Sequence, residues 1–353
     1  MRRRHLKTTL MLGALAAASL AFGLEASPEA AAEADFPRKA SAPLITAVDG
    51  VEVVVRDLER SQAFFRALGF SGDAEEQLLG AAEAQRTGIA GARVRRLQLT
   101  LGSEHLALLQ YVSAPGRAVP ADTRGNDLWF QHVAIVVSDM DRAFDWLRAH
   151  GVAYVSSAPQ TLPEWNHAAA GIQAFYFADP DGHALELIHF PKGKGDPRWQ
   201  TQPNCHRAPA ELCLFLGIDH SAITVANTEQ SLRLYRDQLG LRVAGESENY
   251  GPEQEHLNGV FGARLRITAL RAARGPGIEL LEYLAPHGGR ALPRDARAND
   301  LWHWQVVLSA ADSVAVATSA LSAGGRVVSQ ARAAHEVLVR DPDGHALLAH
   351  DSP

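Results

Sequence analysis

The sequence predicts an α+β fold of four βαβββ modules, set out as two copies of a two-module unit. Three observations carry this. The stretch Asp179-Pro180-Asp181-Gly182-His183-Ala184-Leu185-Glu186 returns near the C-terminus as Asp341-Pro342-Asp343-Gly344-His345-Ala346-Leu347-Leu348. A connector holding Tyr111, Gly116-Arg117 and Asn126-Asp127-Leu128-Trp129 is matched in order by Tyr283, Gly289-Arg290 and Asn299-Asp300-Leu301-Trp302. Finally, an apolar strand, a capping residue, a helical apolar spacing and a closing glycine recur in each module, as stacked copies of one supersecondary unit require.

In the first module, residues 51–55 read as a strand. Asp57 is an N-cap signal, Ala63, Phe64 and Leu68 keep helical spacing, and Gly69 ends the helix. Strands at 97–101 and 106–111 follow. The second module repeats the pattern with a strand at 133–137, Ser138-Asp139 as cap, a helix through 143–147, Gly151, and strands at 174–177 and 184–190. The third has 222–225, the cap Asn227-Thr228, a helix through 232–239, Gly240, and strands at 265–270 and 278–283. The fourth has 306–308, an alanine-rich helix over 311–323 closed by Gly324-Gly325, and strands at 336–340 and 346–349. Asp-Pro-Asp-Gly is turn chemistry, since Pro presets φ, Gly takes positive φ and the Asp side chains cap backbone N–H groups. It is scaffold in both copies.

Composition bounds the function. With 353 residues, 46% hydrophobic and 21% charged, the chain has room for two globular domains, assigned to 44–190 and 217–350 and joined by a linker over 191–216. Arg2, Arg3, Arg4 and Lys7 precede an apolar alanine-rich run over 8–24, with small residues around Ala26 and Ser27. This reads as an export signal over 1–26, with a single N-terminal membrane anchor as the alternative. Its opening resembles a twin-arginine signal, an ordinary Sec signal fits as well, and either implies a periplasmic or secreted protein. Residues 27–43 read as a disordered spacer. A net charge of −6, more acidic once the basic leader is lost, argues against nucleic acid or an anionic membrane as partner. No later apolar run is long enough to span a membrane. Cys205 and Cys213 are spaced to close a small disulfide loop in an oxidising compartment.

The four units resemble the βαβββ modules of the vicinal oxygen chelate superfamily, which includes glyoxalase I, methylmalonyl-CoA epimerase, extradiol dioxygenases and bleomycin-resistance proteins. That resemblance implies that modules pair into two cups. In each cup a divalent metal would be held by one residue from the first strand and one from the last strand of each module. The corresponding positions are Gly50 and Ala107 in module one, His132 and Glu186 in module two, His220 and Glu279 in module three, and Gln305 and Leu348 in module four. Pairing modules in sequence order leaves both cups deficient. Pairing two with three assembles His132, Glu186, His220 and Glu279, a set suited to Zn, Ni, Fe or Mn, and leaves one and four to share an empty cup.

The resemblance further implies glyoxalase I or epimerase-type chemistry on a small-molecule substrate. A proton is abstracted next to a carbonyl, the enediolate is stabilised by the metal, and one of Glu186 and Glu279 serves as base. The alternative is a metal-free protein that sequesters a small molecule, as bleomycin-resistance proteins do. Ring cleavage is disfavoured, because extradiol enzymes take two His and one Glu from modules three and four, where this chain has His220, Gln305 and Leu348. A long insertion over 156–171 carries Trp165, Asn166 and His167, and a polar stretch in module three carries Tyr250 and His256. These five are the candidate substrate contacts, placed to cover an occupied cup. Trp129, Trp302, Arg117 and Arg290 occur in both connector copies and are expected to be structural.

Overall fold

The computed structural model describes residues 42–72, 77–200, 213–329 and 335–352. The expected signal over 1–26 and Cys205 lie outside the described residues; Cys213 is disulfide-bonded. Module one contributes β1 (Ile45–Val54), α1 (Leu58–Ala67), β2 (Gln77–Leu79), α2 (Ala81–Thr87), β3 (Val94–Leu101) and β4 (Glu104–Tyr111). Module two contributes β5 (Gln131–Val137), α3 (Met140–Ala149), β6 (Ala153–Tyr154), β7 (Gln160–Thr161), β8 (Gln173–Ala178) and β9 (Ala184–His189). Module three contributes β10 (Phe215–Val225), α4 (Thr228–Leu232), β11 (Arg242–Tyr250), α5 (Pro252–Asn258), β12 (Arg264–Arg271) and β13 (Gly277–Ala285), with α4 continuing as a wider π turn over Arg233–Gln238. Module four contributes β14 (Trp304–Ala310), α6 (Ser313–Ser322), β15 (Arg326–Val327), β16 (Glu336–Arg340) and β17 (Ala346–Asp351).

Each module's first long helix starts where the sequence caps it. The side chains of Asp57, Asp139, Asn227 and Asp312 accept from the backbone N–H of Arg60, Arg142, Gln230 and Ala315. Each such cap contributes about 1 kcal/mol.

The strands form two sheets, and each draws one module from each half of the sequence. Modules two and three make the order β11-β12-β13-β10-β5-β9-β8-β6, with β7 also on β8; modules four and one make β15-β16-β17-β14-β1-β4-β3-β2. At the centre of each, the two first strands run antiparallel, β10 against β5 and β14 against β1. Strand periodicity sorts the side chains. Val133, Ile135 and Val137 enter a core that also holds Val51, Val53 and Val55 of module one, while Ile223, Val225, Val306 and Leu308 share a second core. Each sequence half thus shares a core, but each cup is built across the halves. His132 and His220 fall on the alternate positions, facing the cup.

The repeated connectors lock this arrangement. Arg117 clamps Asp300 through Nη2 and Nε at 2.7 and 3.0 Å, and Arg290 clamps Asp127 through the same atoms at 2.7 and 2.9 Å. Each guanidinium also lies over an indole, Arg117 at 4.9 Å from Trp302 and Arg290 at 4.7 Å from Trp129. Glycine precedes each arginine because the chains touch there. A Cβ on Gly116 would sit 1.9 Å from the Asn299 carbonyl oxygen, and one on Gly289 would sit 1.6 Å from that of Asn126. Asp127 also accepts from the backbone N–H groups of Arg124 and Arg290. Asp127→Ala strands these donors and is expected to destabilise the protein by about 2–3 kcal/mol, read as a lower urea midpoint. An unchanged midpoint would show that the clasp is ornamental.

The Asp-Pro-Asp-Gly turns join modules as well. Asp181 accepts from the backbone N–H of Arg56 at 2.7 Å and Asp343 from that of Ala226 at 3.0 Å, each just ahead of a neighbouring module's helix. His183 is buried between Asp179 at 2.7 Å and the Leu301 carbonyl at 2.5 Å.

Candidate metal centre

His132, one residue past the start of β5, and His220, in the middle of β10, stand on the two central strands of one sheet. They are offset by the pairing of His132 with Ala222 and of Ala134 with His220. Glu186 on β9 lies beside Ala134, and Glu279 on β13 lies beside Ala222. Parallel neighbours therefore bring each carboxylate to an imidazole. His132 Nε2 is 3.1 Å from Glu186 Oε2. His220 Nε2 is 3.5 Å from Glu186 Oε2 and 3.4 Å from Glu279 Oε2. The ring centroids of the two histidines are 5.6 Å apart.

Donor atoms sharing one ion at about 2.0–2.2 Å stand roughly 3–3.5 Å from each other, so these separations suit a metal. His132, Glu186 and His220 each offer an atom within 4.8 Å of the others. Among the described residues Glu279 is within ion-pair distance of His220 alone, and it keeps its side chain 21% exposed. The fit has a second indication: His220 Nε2 is buried, points at two carboxylates and makes no hydrogen bond. A buried imidazole nitrogen left this way calls for a partner, and a metal ion between these carboxylates would supply one.

A bulge sets the orientation of His220. The β10/β5 register slips between Ile218 and His220, which lets two successive residues, Asp219 and His220, line the same cavity. Asp219 Oδ2 holds His220 Nδ1 at 2.9 Å, leaving Nε2 for the cup. Asp219 is itself held by Arg271 Nη2 at 2.8 and 2.9 Å and by Trp199 Nε1 at 3.0 Å. Burial acts to raise its pKa, but His220 and Arg271 outweigh burial and hold the carboxyl well below the usual range. Outer partners of this kind fix tautomer and ring angle, and losing one costs about 10–100-fold in metal affinity. Asp219→Asn is expected to weaken metal binding by that factor in a competition titration, without removing the site; an unchanged affinity would contradict this role.

The two carboxylates differ electrostatically. Burial acts to raise Glu186, but the hydrogen bond with His132 and the imidazole of His220 beside it bring it below the ordinary range. Glu279 is pushed up, first by burial and further by Glu186, with His220 only partly offsetting this. Burial would depress His220, yet Glu279, Asp219 and Glu186 hold it well above its usual value.

The centre opens into a cavity of about 710 Å³, ample for a small ligand. Asn249, Gln254 and Ser247 supply polar groups to its wall, and Leu257, Leu265 and Ile267 supply apolar surface. None of Trp165, Asn166, His167, Tyr250 and His256 lines it. Trp165 and Tyr250, 46% and 45% exposed, stack on each other at 4.3 Å. Asn166 is buried and donates to Asn249 Oδ1 at 2.7 Å and the Glu248 carbonyl at 3.3 Å. His167 and His256 are exposed, and their carbonyls accept from Lys194 and the Ser157 N–H. These contacts staple the module-two insertion to β11 and α5 and form the outside of the rim. Asn249, from the same polar stretch of module three as Tyr250 and His256, does line the cavity, whereas Asp219 and Arg271 were missed from sequence. Only Asp219 left a signal, as an acid directly before a strand histidine.

In the other cup, Gly50, Ala107, Gln305 and Leu348 occupy the four ligand positions. Gly50 has φ of +151°, and a Cβ there would sit 2.4 Å from the His105 carbonyl oxygen, so that position has no room for a ligand side chain. Gln305 Nε2 donates to Glu52 Oε2 at 2.5 Å, and Arg96 Nε donates to Glu52 Oε1 at 2.7 Å. Glu52, one inward position beyond Gly50, thus anchors an ion-paired network on the floor of this cup.

The comparisons agree with this architecture. A family model described as the Glyoxalase/Bleomycin resistance protein/Dioxygenase superfamily matches residues 47–187 and 217–348. A 2-epi-5-epi-valiolone epimerase from an Actinomyces species is 38% identical over 107 residues, which are 30% of this chain; the chain spans about half, 55%, of that protein. The crystal structure of glyoxalase I from Zea mays superposes with a TM-score of 0.54 at 16% identity, covering 87% of this chain and 92% of that one, which shows a common fold. With two matched regions, four modules and two sheets, the chain belongs to the Glyoxalase/Bleomycin resistance protein/Dioxygenase superfamily.

Proposed function

We propose that the chain is a divalent-metal-dependent enzyme of epimerase type, moving a proton at a carbon next to a carbonyl of a small oxygenated substrate. The observation that carries this reading is the convergence of His132, Glu186 and His220 on one point, with Glu279 beside it facing the cavity. His132, Glu186 and His220 would hold the ion, with Glu279 at the margin. Zn, Ni, Fe and Mn all suit imidazole and carboxylate. When bound, the ion supplies a Lewis acid for the carbonyl oxygen.

The residues divide the work. Glu186 stays ionised between two imidazoles and positions them. Glu279, its pKa raised and only one histidine in contact, takes the proton from one face of the carbon, and the centre inverts when a proton is returned to the opposite face. The C–H electron pair moves toward the carbonyl oxygen in the first half and back in the second. Asn249 and Gln254 orient hydroxyl groups, and the apolar wall keeps water from the carbanionic carbon. The name of the Actinomyces relative supports the epimerase form over thiol-adduct chemistry. Export to the periplasm or beyond belongs to the proposal and rests on the basic-then-apolar leader. Among the described residues no helix is long and apolar enough to cross a membrane.

The test is incubation of the metal-loaded protein with 2-epi-5-epi-valiolone in deuterium oxide. Incorporation of solvent deuterium next to the carbonyl, lost on chelation, is expected. Tight binding of the compound with no exchange would instead support a sequestering protein.

A further inference from the structure

A second cavity, of about 600 Å³, lies at the module-four end of the other sheet. It shares no lining residue with the metal-centre cavity. Three arginines line it, Arg297, Arg326 and Arg340, among small and aliphatic residues such as Ile89, Ala296 and Val327. Arg340 is the unusual one. It ends β16, where module two has Ala178, and is only 5% exposed.

A buried charge is costly unless paired, and among the described residues no carboxylate is hydrogen-bonded to Arg340. Nη1 donates to the Gly344 carbonyl at 2.5 Å and Nη2 to His303 Nδ1 at 3.1 Å. His303 is a neutral acceptor, because burial and Arg340 depress its pKa to about 3, and its Nε2–H donates to Gln305 Oε1 at 3.2 Å. Asp341 and Asp300, the acids whose charge reaches Arg340, are committed elsewhere. Asp341 serves Tyr235 and His345, and Asp300 clamps Arg117. Burial and the nearby Arg326 lower Arg340 to about 10, so it stays charged at neutral pH. Arg297 and Arg326 are exposed, and among the described residues neither makes an ion pair.

We propose that this cavity is an oxyanion site that takes phosphate or a phosphate monoester, with Arg340 as its fixed floor and Arg297 and Arg326 as its mouth. Guanidinium forks match phosphate oxygens, and three of them without an acid suit a dianion. The small side chains around them leave room for the organic part of an ester.

The probe is inorganic phosphate, titrated calorimetrically into the full-length, metal-loaded protein at low ionic strength and matched chloride. Wild type is expected to bind, and Arg326→Ala and Arg297→Ala, both at exposed positions that leave the fold intact, are each expected to weaken binding roughly tenfold or more. Lys192→Ala, an exposed cation outside the cavity, is expected to match wild type. His220→Ala is expected to keep phosphate binding, which separates this site from the metal centre and from the fate of the proposed function. No binding by wild type, or equal affinity in Arg326→Ala and Arg297→Ala, overturns the proposal.

Discussion

His220→Ala is expected to lose metal by more than the roughly 10–100-fold that removal of an outer partner costs. Among the described residues His220 is the one within ion-pair distance of both carboxylates, and its bare Nε2 is held toward them by Asp219. Removing it leaves His132 and Glu186 with no third donor at the same point among the described residues. Its burial raises the question of folding, which thermal unfolding answers. A bound ion at 100-fold excess over its Kd stabilises by about 2.7 kcal/mol. Wild type should therefore melt higher with metal than with chelator, while His220→Ala should melt at the same temperature in both. A metal-dependent rise in the variant equal to that of wild type would place the ion elsewhere.

Glu279→Gln is expected to lower deuterium exchange by about 10²–10⁴-fold, the usual loss for a missing general base. It should cost less metal than His220→Ala. The amide keeps a donor oxygen and the shape of the side chain but cannot take a proton. Glu279 is favoured over Glu186 as the base because the two are held differently. Glu186 is fixed by both histidines, whereas Glu279 touches one and has its side chain 21% exposed. If Glu279→Gln exchanged at the wild-type rate, the base would have to be sought at Glu186.

Much of this was legible in the sequence because the information was local or repeated. Caps such as Asp57 and Asp139 announce helices whose bonds close within three residues. The partition of ligand-type residues, complete at His132, Glu186, His220 and Glu279 and absent at Gly50, Ala107 and Leu348, pointed to modules two and three sharing a sheet, as they do. What escaped was long-range or edge structure. β11 is polar because it is an edge strand with most side chains in solvent, so its composition resembled a loop. Arg271 reaches Asp219 across 52 positions of sequence. The aromatic and polar residues expected as a lid, Trp165, Asn166, His167, Tyr250 and His256, include the right chemical types for substrate contact. The strand pleat and the Asn166–Asn249 bond leave them outside the cavity. Glu52 went unnoticed because it stands one inward step from a ligand position, and only the Gln305 and Arg96 contacts reveal its place.

The central claim is one metal per chain, in the cup of modules two and three. Elemental analysis of wild type, His220→Ala and Gln305→Ala tests it most directly, since Gln305 is the sole donor-bearing ligand position of the other cup. One equivalent in wild type and in Gln305→Ala, with little in His220→Ala, is the predicted result. Two equivalents in wild type, or equal loss in both variants, would contradict it.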